Sequence, residues 1–309
     1  VKGGQDIFNI LEDMPQITIA SINGACAGGG CELILACDYR IASEDPSTKI
    51  GLPETQLGIL PGFGGCVRLP RVVGLQTALD IILAGKLLNA KKAKKAGLID
   101  KLVHAGILEE ETMKWAQELA SQGSKRQKKF KPQGLMASVL ESSLGSMLVF
   151  SKAKSALMEK THGHYPSPLA ALEVIKQTFG MSNRQAALDI ERAFFIEMGV
   201  TDVSKNLIHV FYLTEMVKKQ TGLPAGSTAK AKEVKAVGVL GAGTMGGGVA
   251  FIGADKGIQM RIKDINYDAL GKAYKHASDL WTKLAKKRVI DKFQMKQKWL
   301  ENINPNDGF

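Results

Sequence analysis

The sequence predicts an α/β fold in three parts: a layered strand-and-helix region over 1–104, a helical region over 105–233, and a second strand-and-helix unit over 234–309. Three observations predict it. Short β-branched runs alternate with helix-length apolar segments up to Val103, the pattern of a sheet covered by helices. Strand signals then vanish from about Ile107 to Gln220, where alanines and heptad-like apolar spacing take over. An apolar strand, a glycine-rich turn and a helix follow one another again from Val234.

Each element has a local reason. Gly4 to Met14 reads as a helix, and Ile17 to Ile22, between Pro15 and Asn23-Gly24, as a buried strand. Glycines 28–30 break the chain before a helix over Glu32 to Ala36. Strands follow over Asp38 to Ala42 and Lys49 to Leu52, and Pro53 suits the first position of a helix. Pro61-Gly62-Phe63-Gly64-Gly65 reads as a flexible turn before a helix that runs to Gly74. Two more helices, Ala78–Ala84 and Ala90–Ala96, end at Gly85 and Gly97, and Ile99 to Val103 closes the region as a strand. Leu223 to Glu233, with Pro224, Gly226, Ser227 and Thr228, reads as a linker.

Composition narrows the function classes. The chain has 309 residues and 45% hydrophobic content, enough to bury a real core, and no run reaches the roughly 18 apolar residues of a membrane span. The spacings of Cys26, Cys31, Cys37 and Cys66 match no metal or redox motif; no metal site is expected, and small reduced thiols fit a cytoplasmic location. Absence of Met at position 1 and of a signal segment suggests a start cut from a longer chain. The net charge of +11 favours anionic partners. Its lysines cluster at 91–95, 125–131 and 283–288, where the plain reading is solvated helix faces and a polar linker. Weak association with a membrane is compatible with that charge. Aromatics are not interleaved with the basic runs, so nucleic-acid binding is not expected.

The most specific chemistry is a pair of carboxylates, each following a glycine-bearing turn: Gly28-Gly29-Gly30-Cys31-Glu32 and, 22 residues on from Glu32, Gly51-Leu52-Pro53-Glu54. Gly29, at the edge of a helix start, can present a bare N–H to a carbonyl oxygen. Glu32 and Glu54 can then flank it as acid and base. Each also stands in the first turn of a helix, where a glutamate complements the dipole whatever its chemistry.

A second motif is Gly241-Ala242-Gly243-Thr244-Met245-Gly246, set between an apolar strand and a helix. A further strand ends at Asp264, 23 positions after the first glycine. This is the context of a dinucleotide site: Gly241 for the tight turn, Gly243 for approach of a pyrophosphate, Gly246 for helix–strand packing. Thr244 and Met245 lie within the turn, and Asp264 would bind a ribose 2′-hydroxyl, favouring NAD over NADP despite Arg261 and Lys263.

The run Ile22-Asn23-Gly24-Ala25-Cys26-Ala27-Gly28-Gly29-Gly30-Cys31-Glu32, then 38–42, 51–54 and 58–65, resembles the enoyl-CoA hydratase/isomerase (crotonase) family. The stretch 237–248 resembles 3-hydroxyacyl-CoA dehydrogenase. Both together resemble the α-subunits of fatty-acid β-oxidation multienzyme complexes.

The resemblance implies a partial crotonase-like (ββα) domain, a helical linker region and a partial Rossmann-type NAD-binding domain. It implies Glu32 and Glu54 as the hydration pair, Gly29 in the oxyanion hole, and Gly241, Gly243, Gly246 and Asp264 at NAD. Asp38 and Arg40 match a signature expected to be a structural anchor. Acyl-CoA substrates, NAD and a thiolase β-subunit partner follow from the same likeness. So does an expectation that this stretch alone, with a second oxyanion donor and the hydride-transfer groups lying outside it, has weak hydratase and no dehydrogenase activity. The rivals are a Δ3-Δ2-enoyl-CoA isomerase, which typically needs one carboxylate, and a basic scaffold for nucleic acid or membrane.

Overall fold

A computed structural model describes the chain except residues 124–129, 131, 133, 134, 225, 231, 287, 288 and 307–309. The basic stretch at 121–134 thus lies largely outside the described residues, as do Lys287 and Arg288. Two compact units result, Val1–Gln220 and Thr221–Phe309.

The first unit runs α1 (Lys2–Asp13), β1 (Ile19–Ile22), β2 (Ala25–Ala27), α2 (Gly29–Ala36), β3 (Tyr39–Ser43), β4 (Lys49–Gly51), α3 (Gly65–Val73), α4 (Leu75–Leu83), β5 (Leu87–Asn89), α5 (Ala90–Lys95) and β6 (Lys101–Val103). Six helices complete it: α6 (Leu108–Gln122), α7 (Leu135–Glu141), α8 (Ser143–Thr161), α9 (Pro166–Thr178), α10 (Arg184–Gly199) and α11 (Asp202–Lys219). β1, β3 and β6 form one parallel sheet, with Ile22 opposite Ala42 and Ile41 opposite Lys101. A second sheet pairs β2 with β4 in parallel and β4 with β5 antiparallel.

Two three-residue strands, β2 and β5, go beyond the elements read from the sequence. Neither Ala25-Cys26-Ala27 nor Leu87-Leu88-Asn89 is long enough to carry a period. Pro53 opens no α-helix; it precedes a single 3-10 turn over Glu54–Leu57 that ends at Gly58 in the left-handed region. Gly58 admits no alternative, because a Cβ there would stand 2.7 Å from the Ser204 backbone of α11.

The core of this unit is continuous from the sheets into the helices. Ile34, Leu35, Ile50, Leu52 and Leu60 share one buried cluster with Leu69, Ile82, Phe150, Ala171, Val174 and Ile175. Arg40, itself buried, anchors the end of α2. Its Nε donates to the Leu98 carbonyl at 2.9 Å, its Nη1 donates to the Cys37 carbonyl at 3.1 Å, and its Nη2 lies 3.4 Å from Asp100 Oδ2. Asp38 Oδ2 accepts from both the amide and the hydroxyl of Thr18 at 2.9 Å, tying the start of β3 to the approach of β1. In α5, Ala90 and Ala93 are buried and the four lysines are exposed, an ordinary solvated face.

The second unit contains β7 (Ala236–Leu240), α12 (Thr244–Asp255), β8 (Gln259–Lys263), α13 (Tyr267–Lys286), α14 (Lys292–Asn302) and β9 (Ile303–Asn306). The three strands are parallel in the order β7-β8-β9, with Val239 opposite Ile262 and Met260 opposite Ile303. Ala250, Ala254, Met260, Ile262 and the fully buried Trp281 make its core. Small residues let α12 pack closely: a Cβ at Gly247 would come within 3.2 Å of Ala273, and one at Gly253 within 2.2 Å of Met260 Sδ. Among the described residues no helix is long and apolar enough to cross a membrane.

Candidate active site

The two glycine turns of the first unit lie side by side because their strands are neighbours. Ala27 pairs with Gly51, and the Gly28 amide donates to the Gly51 carbonyl at 3.0 Å. Gly51 must lack a side chain, since a Cβ would meet the Lys86 carbonyl oxygen at 2.0 Å. Beyond the paired ends, one chain enters α2 and reaches Glu32; the other enters the 3-10 turn at Glu54.

Glu32 is 3% exposed. Its Oε1 accepts from the backbone N–H of Phe63 at 2.7 Å and of Gly65 at 2.8 Å. Burial pushes its pKa up to about 7, against the pull of those two amides and of the Arg68 guanidinium. Gly65 is required here too: a Cβ would lie 2.6 Å from Pro61 Cβ and 2.9 Å from Glu32 Oε1.

Glu54 is 8% exposed, and neither of its carboxyl oxygens has a hydrogen-bond partner. Burial first, and then the negative charge of Glu32, push its pKa up to about 8. Its Oε1 sits against Gly28, 3.4 Å from where a Cβ would be. Two neighbouring carboxyls thus have opposite surroundings, one supplied with donors and one bare. Gly29 is the first residue of α2, where an N–H has no acceptor within its own helix. The Cys31 thiol, close enough to feel both charges, is fully buried and pushed well up by that burial, which disfavours the nucleophilic thiolate.

The loop that serves Glu32 is not a loose turn. Its other amides go to Glu191 of α10: Gly64 N–H donates to Oε1 at 2.6 Å and Cys66 N–H to Oε2 at 2.9 Å. Glu191 is fully buried, and Gln5 of α1 reaches its Oε1 at 3.3 Å while also donating to the Gly62 carbonyl at 3.0 Å. Burial and the Glu32 charge push Glu191 up to about 8. Arg68 completes the brace, donating to the Phe63 carbonyl at 2.9 Å and pairing with Glu12 at 2.8 Å.

In the second unit, Gly241 turns the chain at φ +93° and Gly243 has open space where a Cβ would be. A Cβ on Gly246 would strike the Gly241 carbonyl oxygen at 1.8 Å. Thr244 opens α12 and Met245 is exposed beside it. Asp264 Oδ2 accepts from the Ala242 N–H at 2.5 Å and its Oδ1 from Ile265 N–H at 2.7 Å. Those amides hold its carboxyl below the usual range, so it is an ionised acceptor beside the glycine turn. An open backbone at a helix N-terminus, with an ionised acceptor at the end of the next strand, fits a dinucleotide.

Residues 2–162, just over half of the chain, match the family model for enoyl-CoA hydratase/isomerase. The chain belongs to the enoyl-CoA hydratase/isomerase family. Residues 236–309 match the model for the NAD binding domain of 3-hydroxyacyl-CoA dehydrogenase, so this hydratase/isomerase-family chain carries an NAD-binding unit after its first. It is similar to the fatty acid oxidation complex subunit alpha of Vibrio vulnificus, 41% identical over 97% of this chain and 41% of the relative. To the protein of the same name from Aliivibrio fischeri it is 40% identical over 99% of this chain and 43% of the relative. The chain therefore spans about two-fifths of the length of these curated relatives. A solved enoyl-CoA hydratase from Mycobacterium avium subsp. paratuberculosis aligns over 69% of this chain and 70% of its own, at 19% identity and a TM-score of 0.47.

The structure brings Glu32, Glu54 and Gly29 to one place, and Gly241, Gly243, Gly246 and Asp264 to another. It adds three side chains to the first site that sequence reasoning passed over: Gln5, Arg68 and Glu191. One signal was available for Glu191. It falls on the apolar stripe of α10 with Ala187 and Leu188, where a glutamate needs a buried partner.

Proposed function

We propose that the whole protein adds water to trans-2-enoyl-CoA thioesters at the Glu32–Glu54 site and oxidises the resulting 3-hydroxyacyl-CoA with NAD, two consecutive steps of fatty-acid β-oxidation. The observation that carries the hydration step is the unequal pair: Glu32 with two amide donors on one oxygen, Glu54 buried with none.

The thioester carbonyl oxygen gains negative charge as water attacks the β-carbon, and the N–H of Gly29 at the start of α2 is set to receive it. Glu32 loses its proton more readily than Glu54, because two amides and Arg68 favour its charge. As a carboxylate it holds the water and takes one proton while the oxygen bonds to the β-carbon. Glu54 keeps its proton near pH 7 and delivers it to the α-carbon. A hydroxyl thus ends on the β-carbon and a hydrogen on the α-carbon.

In the second unit, Gly241, Gly243 and Gly246 would let the pyrophosphate of NAD approach the α12 N-terminus, and Asp264 would hold a ribose hydroxyl. NAD held there would supply the hydride acceptor for oxidation of the 3-hydroxyacyl group. Within this reading, residues 1–104 supply the reacting groups, 105–233 form a helical linker region whose α10 braces the first site through Glu191, and 234–309 hold the dinucleotide. The name of the curated relatives supports an assembly, and a thiolase-type subunit is the partner whose reaction class consumes a 3-ketoacyl-CoA. All four cysteines are unbridged, which supports a cytoplasmic site of action.

The test is to supply the full-length protein with crotonyl-CoA and, separately, with a 3-enoyl-CoA. Hydration of crotonyl-CoA faster than isomerisation supports the reading. Isomerisation without hydration would replace it with the isomerase alternative.

A further inference from the structure

We propose that Glu191 is a positioning residue for hydration: by gripping the amides of Gly64 and Cys66 it fixes the loop whose other two amides, Phe63 and Gly65, orient the Glu32 carboxylate. The inference rests on the hydration reading above and deepens it.

Four consecutive backbone N–H groups, from residue 63 to residue 66, are divided between two buried carboxylates in strict alternation. Two belong to Glu32 on α2 and two to Glu191 on α10, so the loop is held from both sides. A glycine-rich segment has too little side-chain packing to hold itself, and Gly62, Gly64 and Gly65 give this one almost none. Side chains on three elements close the gap. Gln5 from α1 bonds the Gly62 carbonyl, the Leu188 carbonyl and Glu191; Arg68 from α3 bonds the Phe63 carbonyl; Phe195 from α10 fills the space beside Gly62, where a Cβ would stand 2.6 Å from its ring.

A fully buried carboxyl group is expensive unless donors meet it, and among the described residues Glu191 is met by the loop amides and Gln5. A side chain at this place on α10 without two acceptor oxygens would leave at least one of the Gly64 and Cys66 amides without its acceptor. Those amides would then turn, and the Phe63 and Gly65 amides would turn with them. The consequence falls on Glu32: its Oε1 would lose the fixed pair of donors that favours its charged form and aims its other oxygen. Misplacement of a reacting group by about 1 Å can cost roughly 100-fold in rate. Glu191 itself has no exposure through which to meet a substrate, so its effect passes through Glu32.

Glu191→Gln in the full-length protein tests this. One oxygen of the amide cannot serve both N–H groups, and its NH2 opposes one of them. We expect crotonyl-CoA hydration with kcat lowered roughly 10-fold to 100-fold and KM changed less than about two-fold. In a Glu32→Gln background the same change should cost nothing further, because the group it acts through is already gone. A kcat equal to wild type, or an equal loss in both backgrounds, overturns the proposal. If Glu191→Gln does not fold, Gln5→Met decides: it leaves the carboxylate in place but removes its side-chain donor and should lower kcat several-fold, and an unchanged kcat there overturns the proposal. Absence of hydration by the wild-type protein overturns the hydratase reading and this inference with it; normal wild-type hydration with full kcat in the variants overturns this inference alone.

Discussion

Glu32 and Glu191, on helices far apart in the chain, hold one glycine-rich loop between them, each accepting two of its four consecutive amides at 2.6–2.9 Å. The setting of Glu32 therefore depends on a helix after residue 104 as much as on the strands before it. Glu54 has no such support, and its bare burial gives the pair its asymmetry.

That asymmetry has a stability cost with a definite sign. The folded-state pKa of Glu54 lies near 8, above the ordinary carboxylate value of 4.5 that the unfolded chain keeps. Between those limits the folded state holds a proton that the unfolded state has released, so stability falls as pH rises through the window. Glu54→Gln removes this loss. The variant should melt several degrees above wild type at pH 8, and the difference should close towards pH 4.5, as read by thermal unfolding across that range.

Gly65 tests whether the loop sets the carboxylate. It is the first residue of α3 with ordinary backbone angles, so alanine meets no conformational barrier. Its Cβ would instead press on Pro61 and on Glu32 Oε1. Gly65→Ala should destabilise by about 1–3 kcal/mol through overpacking and lower hydration kcat. Gly3→Ala, in α1 with nothing within 4 Å, should leave both stability and kcat within error of wild type or slightly raise stability.

Arg40 should be a stability residue with no part in the chemistry. Its guanidinium serves the Leu98, Cys37 and Ile34 carbonyls and Asp100. Arg40→Met removes the guanidinium from Asp100 and from three carbonyls while leaving the backbone amide of residue 40 on Asp100, and about 3–5 kcal/mol should be lost. Chemical denaturation measures this, and kcat per folded molecule should stay near wild type.

The dinucleotide turn can be probed by binding alone. Asp264→Ala removes the carboxylate proposed to hold the ribose and, with it, the acceptor of the Ala242 amide. NAD affinity, measured by calorimetry on the full-length protein, should fall about tenfold or more, with crotonyl-CoA hydration unchanged. Equal NAD affinity would show that Asp264 does not face the ribose.

Much of this was legible in the sequence. Runs with a clear period, such as Ile19–Ile22, Leu75–Leu83 and Ala236–Leu240, are visible because side chains on one face must be apolar. The glycine turns are visible because Gly51 and Gly246 sit where any Cβ would strike a carbonyl. Ala25–Ala27 and Leu87–Asn89 were not, since three residues carry no period and their strand state comes from the neighbour they pair with. The loop at 61–65 read as flexible for a related reason. Glycine and proline mark freedom of the isolated chain, whereas its order comes from Gln5, Arg68 and Glu191, far away in sequence. Glu191 escaped notice because a glutamate in a helix is usually solvated; its place on the stripe of Ala187 and Leu188 hinted at burial, and the fold shows what it meets there.

The most direct measurement is the steady-state hydration of crotonyl-CoA by the full-length protein beside its Glu32→Gln and Glu54→Gln variants. If Glu32 takes the water proton and Glu54 supplies the α-proton, each variant should lose roughly 100-fold or more in kcat, with acyl-CoA affinity little changed. Hydration at near wild-type kcat by either variant would contradict the two-carboxylate account.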